Sequence, residues 1–537
     1  MPTLNWIGKE AVINHHLHVP FHLLKDVPEL RCGEPGSGNL IVEGDNLLAL
    51  KALLPYYKGK VKCICIDPPY NTGNEGWAYN DNVNSPAIKK WLGETVGKEG
   101  ETLDRHDRWL CMMYPRLALL REFLSEDGSI WITLDDNEIH ALRYLMNEVF
   151  GAGKFVAQIC WESRYSRSND ASFSVSHNFL LGYSPDPELW KKTRNRLTRS
   201  VEQAATYKNP DNDPKGPWRA IPWDAPNIRP NLEYPITTLT GKVRLPPPGR
   251  CWSRTEDQWK EIVAAGLAYF GKSGSGAPSF KQYISEASGI VPNTWWSHED
   301  AGHTDEAQKE VQEIFSKTAG FATPKPTRLI ERILQIATNP GDLVLDSFAG
   351  SGTTGHAVLK MNAAGAGEAE ERRFILVEME PKIAQEITRE RVKRVAEGYT
   401  NAKSQPVPGL GGGFRYVRLG EAVFDEHQRI RESVRFADLA RHVYFTETGE
   451  PLPKERISPK TPLLGIHQGR AIYLLYNGIL KDKSVDGGNV LTATTLALLP
   501  PHNGPKVVYA TSCRFSKARL EREGLTFKQT PYAIRIR

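Results

Sequence analysis

The 537-residue chain is short of several features that would place it in a common class. Its seven cysteines include no CxxC pair, which argues against a zinc ribbon or a disulfide framework and for reduced, buried thiols. Cys63 and Cys65 alternate on one apolar strand and point the same way. No charged-then-apolar leader opens the sequence, and no apolar run approaches the roughly 20 residues that span a membrane. The expected location is therefore cytoplasmic, with no membrane partner. Charge of one sign is lacking too: 68 Lys and Arg against 63 Asp and Glu leave a net +5, so any nucleic-acid surface must be a local patch. Companion ligands for the histidines are missing. His15, His16 and His18 stand alone in a polar segment, and His298 and His303 are five apart, off a common helix face. No metal is expected, and there is no internal repeat.

What is present is length and alternation. A chain of this size should divide into about three to four units with well-buried cores. Residues 40–160 alternate between strand-like and helix-like segments: LIVEG, the helix-like Asn46 to Leu54, VKCICI, a polar loop to about Arg105, and the helix-like Trp109 to Leu124. SIWITL and the helix-like His140 to Val149 follow. The pattern resumes with Arg328 to Ala337, LVLD at 343–346, a glycine turn, a helix from about Thr353, and FILVE at 374–378. This alternation predicts an α/β fold, a parallel sheet covered by helices and built from two separated parts of the chain. Between those parts the sequence breaks into short segments rich in Pro, Gly, Trp and basic residues. A charged helix (Thr388 to Glu397), Pro406, Pro408 and a triple glycine lead to a last stretch with strand-like AIYLLY and KVVYAT.

Two motifs lie at predicted strand ends. Asp67-Pro68-Pro69-Tyr70 closes VKCICI with an acid, two stiff prolines and an aromatic. Fixed hydrogen-bond acceptors beside a stacking ring suit chemistry on the exocyclic amine of a planar base, although a plain turn after a buried strand reads the same way. Asp346-Ser347-Phe348-Ala349-Gly350-Ser351-Gly352-Thr353-Thr354 follows a strand and opens a helix, with glycines where backbone must approach a ligand. Glu378 ends the next strand, where a carboxylate can take both hydroxyls of a ribose. Residues 350–355 read Gly-Ser-Gly-Thr-Thr-Gly, without the Gly-Lys-Ser or Gly-Lys-Thr of a phosphate loop, and an adenosine without a phosphate tail, such as S-adenosylmethionine, fits them. GLAYFGKS at 266–273 matches the phosphate-loop pattern in letters only, since apolar residues fill it and GSGAPS follows where a helix should begin. Ligands of open α/β sheets sit beyond the carboxyl ends of strands where strand order reverses. The two motifs share one crevice if their strands are neighbours.

At these residues the chain resembles the β-group amino-methyltransferases of DNA, in which DPPY precedes a target-recognition region and FxGxGTT follows it. More narrowly it is similar to the modification subunits of type III restriction-modification systems. The matching text is DPPYNTGN at 67–74, WLCMMYPRLALLRE at 109–122, EDGSIWITLDDNE at 126–138, PPPGRCW at 246–252, AGHTDEAQKE at 301–310, and TPKPTRLIERIL before LVLDSFAGSGTT. The resemblance covers roughly 40–400. It implies a Rossmann-like S-adenosylmethionine-dependent methyltransferase sheet with an inserted target-recognition region and a C-terminal α/β module. The expected divisions are an N-terminal extension over 1–39, core parts over 40–161 and 321–400, an insertion over 162–320, a linker over 401–413 and the C-terminal module over 414–537.

The resemblance also implies roles. Asp346, Phe348, Ala349, Gly350, Ser351, Gly352 and Thr353 would cradle S-adenosyl-L-methionine, with Glu378 on its ribose and Lys325-Pro326 on its methionine end. Asp45 is either a further cofactor contact or the N-cap of the helix after it. Asp67 and the carbonyl of Pro68, stiffened by Pro69, would accept hydrogen bonds from adenine N6, and Tyr70 would stack on the flipped base. Asp in first place points to adenine N6 over cytosine N4, where Ser is more frequent. Lys191, Lys192, Arg194, Arg196 and Arg199 are candidates for phosphates of double-stranded DNA, or a solvated helix face. The tryptophans at 161, 190, 218, 223, 252, 259, 295 and 296 read first as local core and second as stacking surfaces. No helicase or nuclease constellation occurs, so cleavage would need a separate restriction subunit or another defence protein. The C-terminal module would serve that assembly or a homodimer. A non-catalytic DNA-recognition scaffold is the reading from a different class, and it would have predicted degraded motifs.

Overall fold

The computed structural model describes residues 4–33, 38–72, 94, 105–167, 172–199, 201–315, 323–365, 370–425, 427, 430–450, 452–453, 456–458, 460–476, 479–480 and 488–530. Most of the expected polar loop before Arg105 lies outside them. The chain divides into two compact units, residues 1–194 with 293–537, and residues 195–292.

The first unit is organised by one ten-stranded sheet. Its strands are β1 (His22–Asp26), β2 (Leu40–Glu43), β3 (Val61–Ile66), β4 (Leu124–Leu134), β5 (Phe155–Glu162), β6 (His177–Tyr183), β7 (Trp295–Trp296), β8 (Leu343–Asp346), β9 (Arg373–Glu378) and β10 (Arg415–Ala422). Their order is β1-β10-β2-β9-β8-β3-β4-β6-β5-β7. From β10 to β4 all neighbours run parallel. β1 pairs antiparallel with β10, β6 runs antiparallel to both β4 and β5, and β7 is parallel to β5. The central strands are near-continuous apolar runs because helices cover both faces. All six residues of β3 are buried, and the one charge among them, Lys62, is paired with Asp127.

The helices used below are α1 (Asn46–Tyr57), α2 (Arg105–Phe123), α3 (Ile139–Val149), α4 (Thr304–Phe315), α5 (Thr327–Ala337), α6 (Thr353–Ala364) and α7 (Arg389–Glu397). Those that the alternation predicts lie within a few residues of their expected bounds. The strand SIWITL reaches back to Leu124, so α2 ends at Phe123. Strand β8 lies between β9 and β3, with Leu345 opposite Ile64 and Ile375. The chain turns to opposite sides after β8 and after β3, so the strand order reverses between them and a crevice opens at their carboxyl ends.

Three expected boundaries move. The N-terminal extension is not separate, because β1 pairs with β10 through Leu24 and Leu419. The linker over 401–413 does not divide the core from the last module: β10 adds to the same sheet, with Tyr416 opposite Ile41. The compact insertion is 195–292 and not 162–320. The flanking stretches supply β6 and β7, apolar strands that extend the sheet past β4, and Trp296 of β7 is completely buried. Further along, the strands Leu463–His467, Arg470–Leu474, Lys506–Ala510 and Leu525–Gln529 form a small sheet that includes both predicted segments.

The second unit is built around aromatics. Trp223, Tyr234, Trp252, Trp259 and Phe270 form its core. Two of the indoles are tied within it: Trp223 Nε1 donates to Tyr234 Oη at 2.9 Å and Trp252 Nε1 to the Tyr234 carbonyl at 2.7 Å. The phosphate-loop look-alike lies here as the strand Ala268–Tyr269 and a turn, followed by the strand Ser279–Tyr283 and no helix. It offers no helix N-terminus to an anion. Across both units, Trp161, Trp190, Trp218, Trp223, Trp252, Trp259 and Trp296 are buried and Trp295 is 49% exposed. Among the described residues no helix is long and apolar enough to cross a membrane.

Candidate active site

The two motifs emerge side by side from β3 and β8. Asp67 follows the last residue of β3, and its carboxylate is held at both oxygens. Thr133, near the end of β4, donates its hydroxyl to Oδ1, and Lys325 Nζ lies 2.5 Å from Oδ2. Pro68 is buried, and the carbonyl of Pro69 accepts the indole N–H of Trp109 on α2 at 2.7 Å. Tyr70 has a half-buried ring and a buried hydroxyl with no hydrogen-bond partner among the described residues. Burial first, and the charge of Asp67 second, push that phenol well above its ordinary value. The ammonium of Lys325 is 4.9 Å from the ring centroid.

The next residue locks the turn. Asn71 takes φ 59°, the left-handed conformation that Asn tolerates better than most residues. Its amide donates to the Arg105 carbonyl at 3.0 Å and to Glu138 Oε1 at 2.5 Å. Glu138, completely buried just before α3, also meets His106 Nδ1 at 2.6 Å. Burial raises its carboxyl above the ordinary range, against the opposing pull of Asn71 and His106. The tetrapeptide is thus fastened to α2, β4 and the start of α3.

The loop after β8 is braced from within. Asp346 accepts the Phe348 N–H at 3.0 Å and the Thr354 hydroxyl at 2.6 Å. Its burial nonetheless raises the carboxyl to about 7. Gly350 and Gly352 have φ of 48° and 77°. A Cβ on Gly352 would lie 3.0 Å from the Thr388 carbonyl oxygen, so the close approach as well as the angle favours glycine. Glu378 Oε2 accepts the Gly350 N–H at 2.9 Å and Oε1 the Glu380 N–H at 2.8 Å. Burial raises this carboxyl to about 8. Beneath the loop, the fully buried Arg391 of α7 donates to Ser351 Oγ at 3.0 Å and Thr353 Oγ1 at 2.9 Å, and lies 3.4 Å from Glu310 of α4. Burial lowers its guanidinium to about 10.

Between the motifs is a narrow cavity of about 30 Å³, whose lining includes Asp67, Thr133, Lys325, Asp346, Phe348, Ala349, Gly350, Ser351 and Thr353. Trp131, Ile330 and Ile333 supply apolar wall. Lys325 is the single cation among the described lining residues. A wider cavity of about 420 Å³ adjoins it, bordered by Tyr70, Asp135, Asp136, Arg164, His177 and Asn178, and residues 323–325 line both. Its volume is within the roughly 300–1,000 Å³ range of small-ligand sites.

The other expected site residues lie elsewhere. Gly352 and Glu378 support the loop from behind the cavity wall, and Pro326 is buried at the start of α5. Asp45 caps α1: its Oδ1 accepts the N–H groups of Leu47 and Leu48 at 2.9 and 3.1 Å, and Oδ2 is 3.5 Å from buried Arg116. Lys191 and Lys192 are exposed on the short helix Pro187–Thr193 of the first unit, and Arg194 follows it beside the Trp190 ring. Arg196 and Arg199 belong to the second unit, where they tie down residues 287–289: Arg196 Nη1 donates to Ser288 Oγ at 2.7 Å, and Arg199 Nη1 to the Ala287 carbonyl at 3.0 Å.

Several supporting residues carried no signal of their own. Trp109, Thr133 and Glu138 lie inside motifs singled out in the sequence, but their partners are distant in the chain. Arg391 is one charge among many in RERVKR, and only its burial distinguishes it.

A DNA methylase family model matches residues 61–389, a span that contains both motifs. The StyLTI Mod subunit of a Salmonella typhimurium type III restriction-modification enzyme is 33% identical over 440 residues, 77% of this chain and 64% of that protein. The EcoPI Mod subunit of Escherichia phage P1, also of a type III enzyme, is 29% identical over 71% of this chain and 64% of its own length. The type II methyltransferase M.EcaI of Enterobacter cloacae is 29% identical over 66% and 74% respectively. The chain therefore spans under two thirds of the length of the two Mod subunits.

Proposed function

The chain belongs to the DNA methylase family, and from that premise we propose that it transfers a methyl group from S-adenosyl-L-methionine to N6 of an adenine swung out of double-stranded DNA. The observation that carries this reading is the adjacency of β3 and β8. It sets the Asp67 carboxylate and the loop from Asp346 to Thr353 on opposite walls of one cavity, with a base-sized space beside Tyr70.

The chemistry of the narrow cavity suits the cofactor. Asp67 and Asp346 both face it, and the charge of Asp67 adds to the burial that holds Asp346 up near 7. A cationic ligand would relieve that repulsion. Ser347 Oγ, at the root of the loop, is buried with no partner among the described residues. Phe348 and Ala349 would border the adenosine, and Gly350, Ser351 and Thr353 present the loop to it. When bound, S-adenosyl-L-methionine would supply an electrophilic methyl on its sulfonium. Glu378 and Gly352 would act by holding the loop's shape, with any ribose contact left to lone pairs of Glu378 not used by Gly350 and Glu380.

On the acceptor side, Asp67 and the Pro68 carbonyl would accept both hydrogens of the adenine amine and localise its lone pair on nitrogen for attack. Thr133 fixes which Asp67 oxygen faces the cavity. Tyr70 would stack on the ring, and Trp109 with Asn71 would keep the turn from yielding. The gain comes from preorganised acceptors, with no covalent enzyme intermediate. Asp at position 67 supports adenine over cytosine by resemblance.

Double-stranded DNA would be read outside the cavity. Lys191, Lys192 and Arg194 are suited to phosphates, while Arg196 and Arg199 have only the donors left over from residues 287–289. The Mod names of two relatives suggest assembly with a separate restriction subunit in the cytoplasm, and a homodimer would be compatible with it. Long-read sequencing that detects modified bases in host DNA tests the reading. N6-methyladenine should occur in one short motif and vanish with Asp67→Ala; unmodified adenines in cells that hold folded wild-type protein would overturn it.

A further inference from the structure

The ammonium of Lys325 has two neighbours that the proposed function reserves for the substrate. It donates to Asp67 Oδ2 at 2.5 Å, and it lies 4.9 Å from the centre of the Tyr70 ring. A target amine hydrogen-bonded to Asp67 with its ring on Tyr70 would need the same place. Lys325 is 11% exposed and lines both the narrow cavity and the wide one, so it stands at the passage between them. Its stem is flexible, and residues 323–325 precede the first turn of α5, so the ammonium can change partners without disturbing a helix.

We propose that Lys325 is a displaceable occupant of the amine site and that it imposes an order of binding. Resting on the methyltransferase reading, the inference adds when Asp67 becomes available. Without a ligand anion bound in the narrow cavity, Lys325 neutralises Asp67 and blocks the acceptor. The anion that releases it is a carboxylate, the one at the amino-acid end of the bound cofactor. Lys325 then exchanges Asp67 for that carboxylate, and Asp67 is left to the target amine. Thr133 keeps its bond to Oδ1 throughout, so the acceptor does not rotate away when the cation leaves. Lys325 is in this sense a positioning residue: it acts on the substrate through Asp67.

The test is DNA affinity with no turnover. The duplexes carry the methylated motif with either adenine or purine, which lacks the N6 amine, at the target position. Each is titrated with S-adenosylhomocysteine or with 5′-methylthioadenosine, which lacks the amino-acid end. Comparing both duplexes under both ligands cancels their different pairing strengths. In wild type the adenine-to-purine affinity ratio should be about tenfold or more higher with S-adenosylhomocysteine than with methylthioadenosine, the worth of a hydrogen bond to a charged group. In Lys325→Met the ratio should be the same, and as high, with either ligand. A preference for adenine that is equal under both ligands in wild type overturns the inference, whether or not the variant folds. Absence of any methylation by wild type would instead overturn the functional reading beneath it.

Discussion

Arg391 offers the sharpest test of how the loop is held, since no motif contains it. Replacement by Met keeps much of the buried stem but removes the donor shared by Ser351 at 3.0 Å and Thr353 at 2.9 Å. It also strips the cation from Glu310, 3.4 Å away. Breaking a buried pair from one side costs about 3–5 kcal/mol. The Glu310 side chain keeps 21% exposure, so water takes up part of the loss. The lower end, about 3 kcal/mol, is therefore expected. Glu310→Gln combined with Arg391→Met leaves no unpaired charge, and its cost should fall to about 2 kcal/mol, the worth of two lost neutral-acceptor bonds. Urea unfolding followed by tryptophan fluorescence measures these differences. Because Ser351 and Thr353 form cavity wall, calorimetry should also find S-adenosylmethionine bound about tenfold more weakly by Arg391→Met, about 1.4 kcal/mol. A single variant with unchanged stability and affinity, or a double variant worse than the single, would refute the reasoning.

Other consequences follow from the buried acids and the supports of the turn. Asp346 and Glu378 are held up at about 7 and about 8 in the folded chain. Raised acids lend stability that is whole below the unfolded value near 4 and is lost as pH climbs through the folded one. Cofactor-free Asp346→Asn should accordingly gain on wild type between pH 4 and 8, reaching about 4 kcal/mol; a difference that stays flat across denaturation curves in that range would count against this. Trp109→Phe removes the bond to the Pro69 carbonyl, worth about 1 kcal/mol, and should lower kcat while leaving cofactor affinity alone; equal losses in both would mean the turn is not its target. Asp45→Asn retains an N-cap acceptor and should bind cofactor like wild type, whereas Asp45→Ala should lose about 1 kcal/mol of stability. Weakened binding by the Asn variant would restore Asp45 to the cofactor site.

The core of the fold was legible because its strands are short apolar runs ending in residues with a chemical reason to be there. VKCICI before Asp67 and LVLD before Ser347 could be read as parallel, buried strands, and their adjacency needed only one assumption about strand order. The sheet's outer strands were not legible. HNFLLGY at 177–183 and the Trp295–Trp296 pair sit in a stretch whose Pro, Gly and Trp content resembles that of the second unit, and their membership of the sheet is fixed by pairing with β5 and β4. Likewise β1 and β10 are nearly 400 residues apart in the chain and reveal each other only when paired. At the site, residues that face the cavity could be named from motifs, because the chemistry requires particular side chains there. Residues that support those side chains could not. Glu138 and Arg391 are ordinary charges in the sequence and become exceptional through burial, which local pattern does not encode. The resemblance puts Lys325 at the cofactor's methionine end, and its contact with Asp67 is tertiary information from two segments 258 residues apart.

The most direct test of the central claim is methyl transfer by the purified chain in the presence of S-adenosylmethionine carrying a deuterated methyl group. Duplex DNA containing the motif found in host cells would be incubated, digested to nucleosides and analysed by mass spectrometry. Deuterated N6-methyladenine should form with wild type and none with Asp67→Ala of equal cofactor affinity. Label on cytosine N4, or label on adenine that survives Asp67→Ala undiminished, would contradict it.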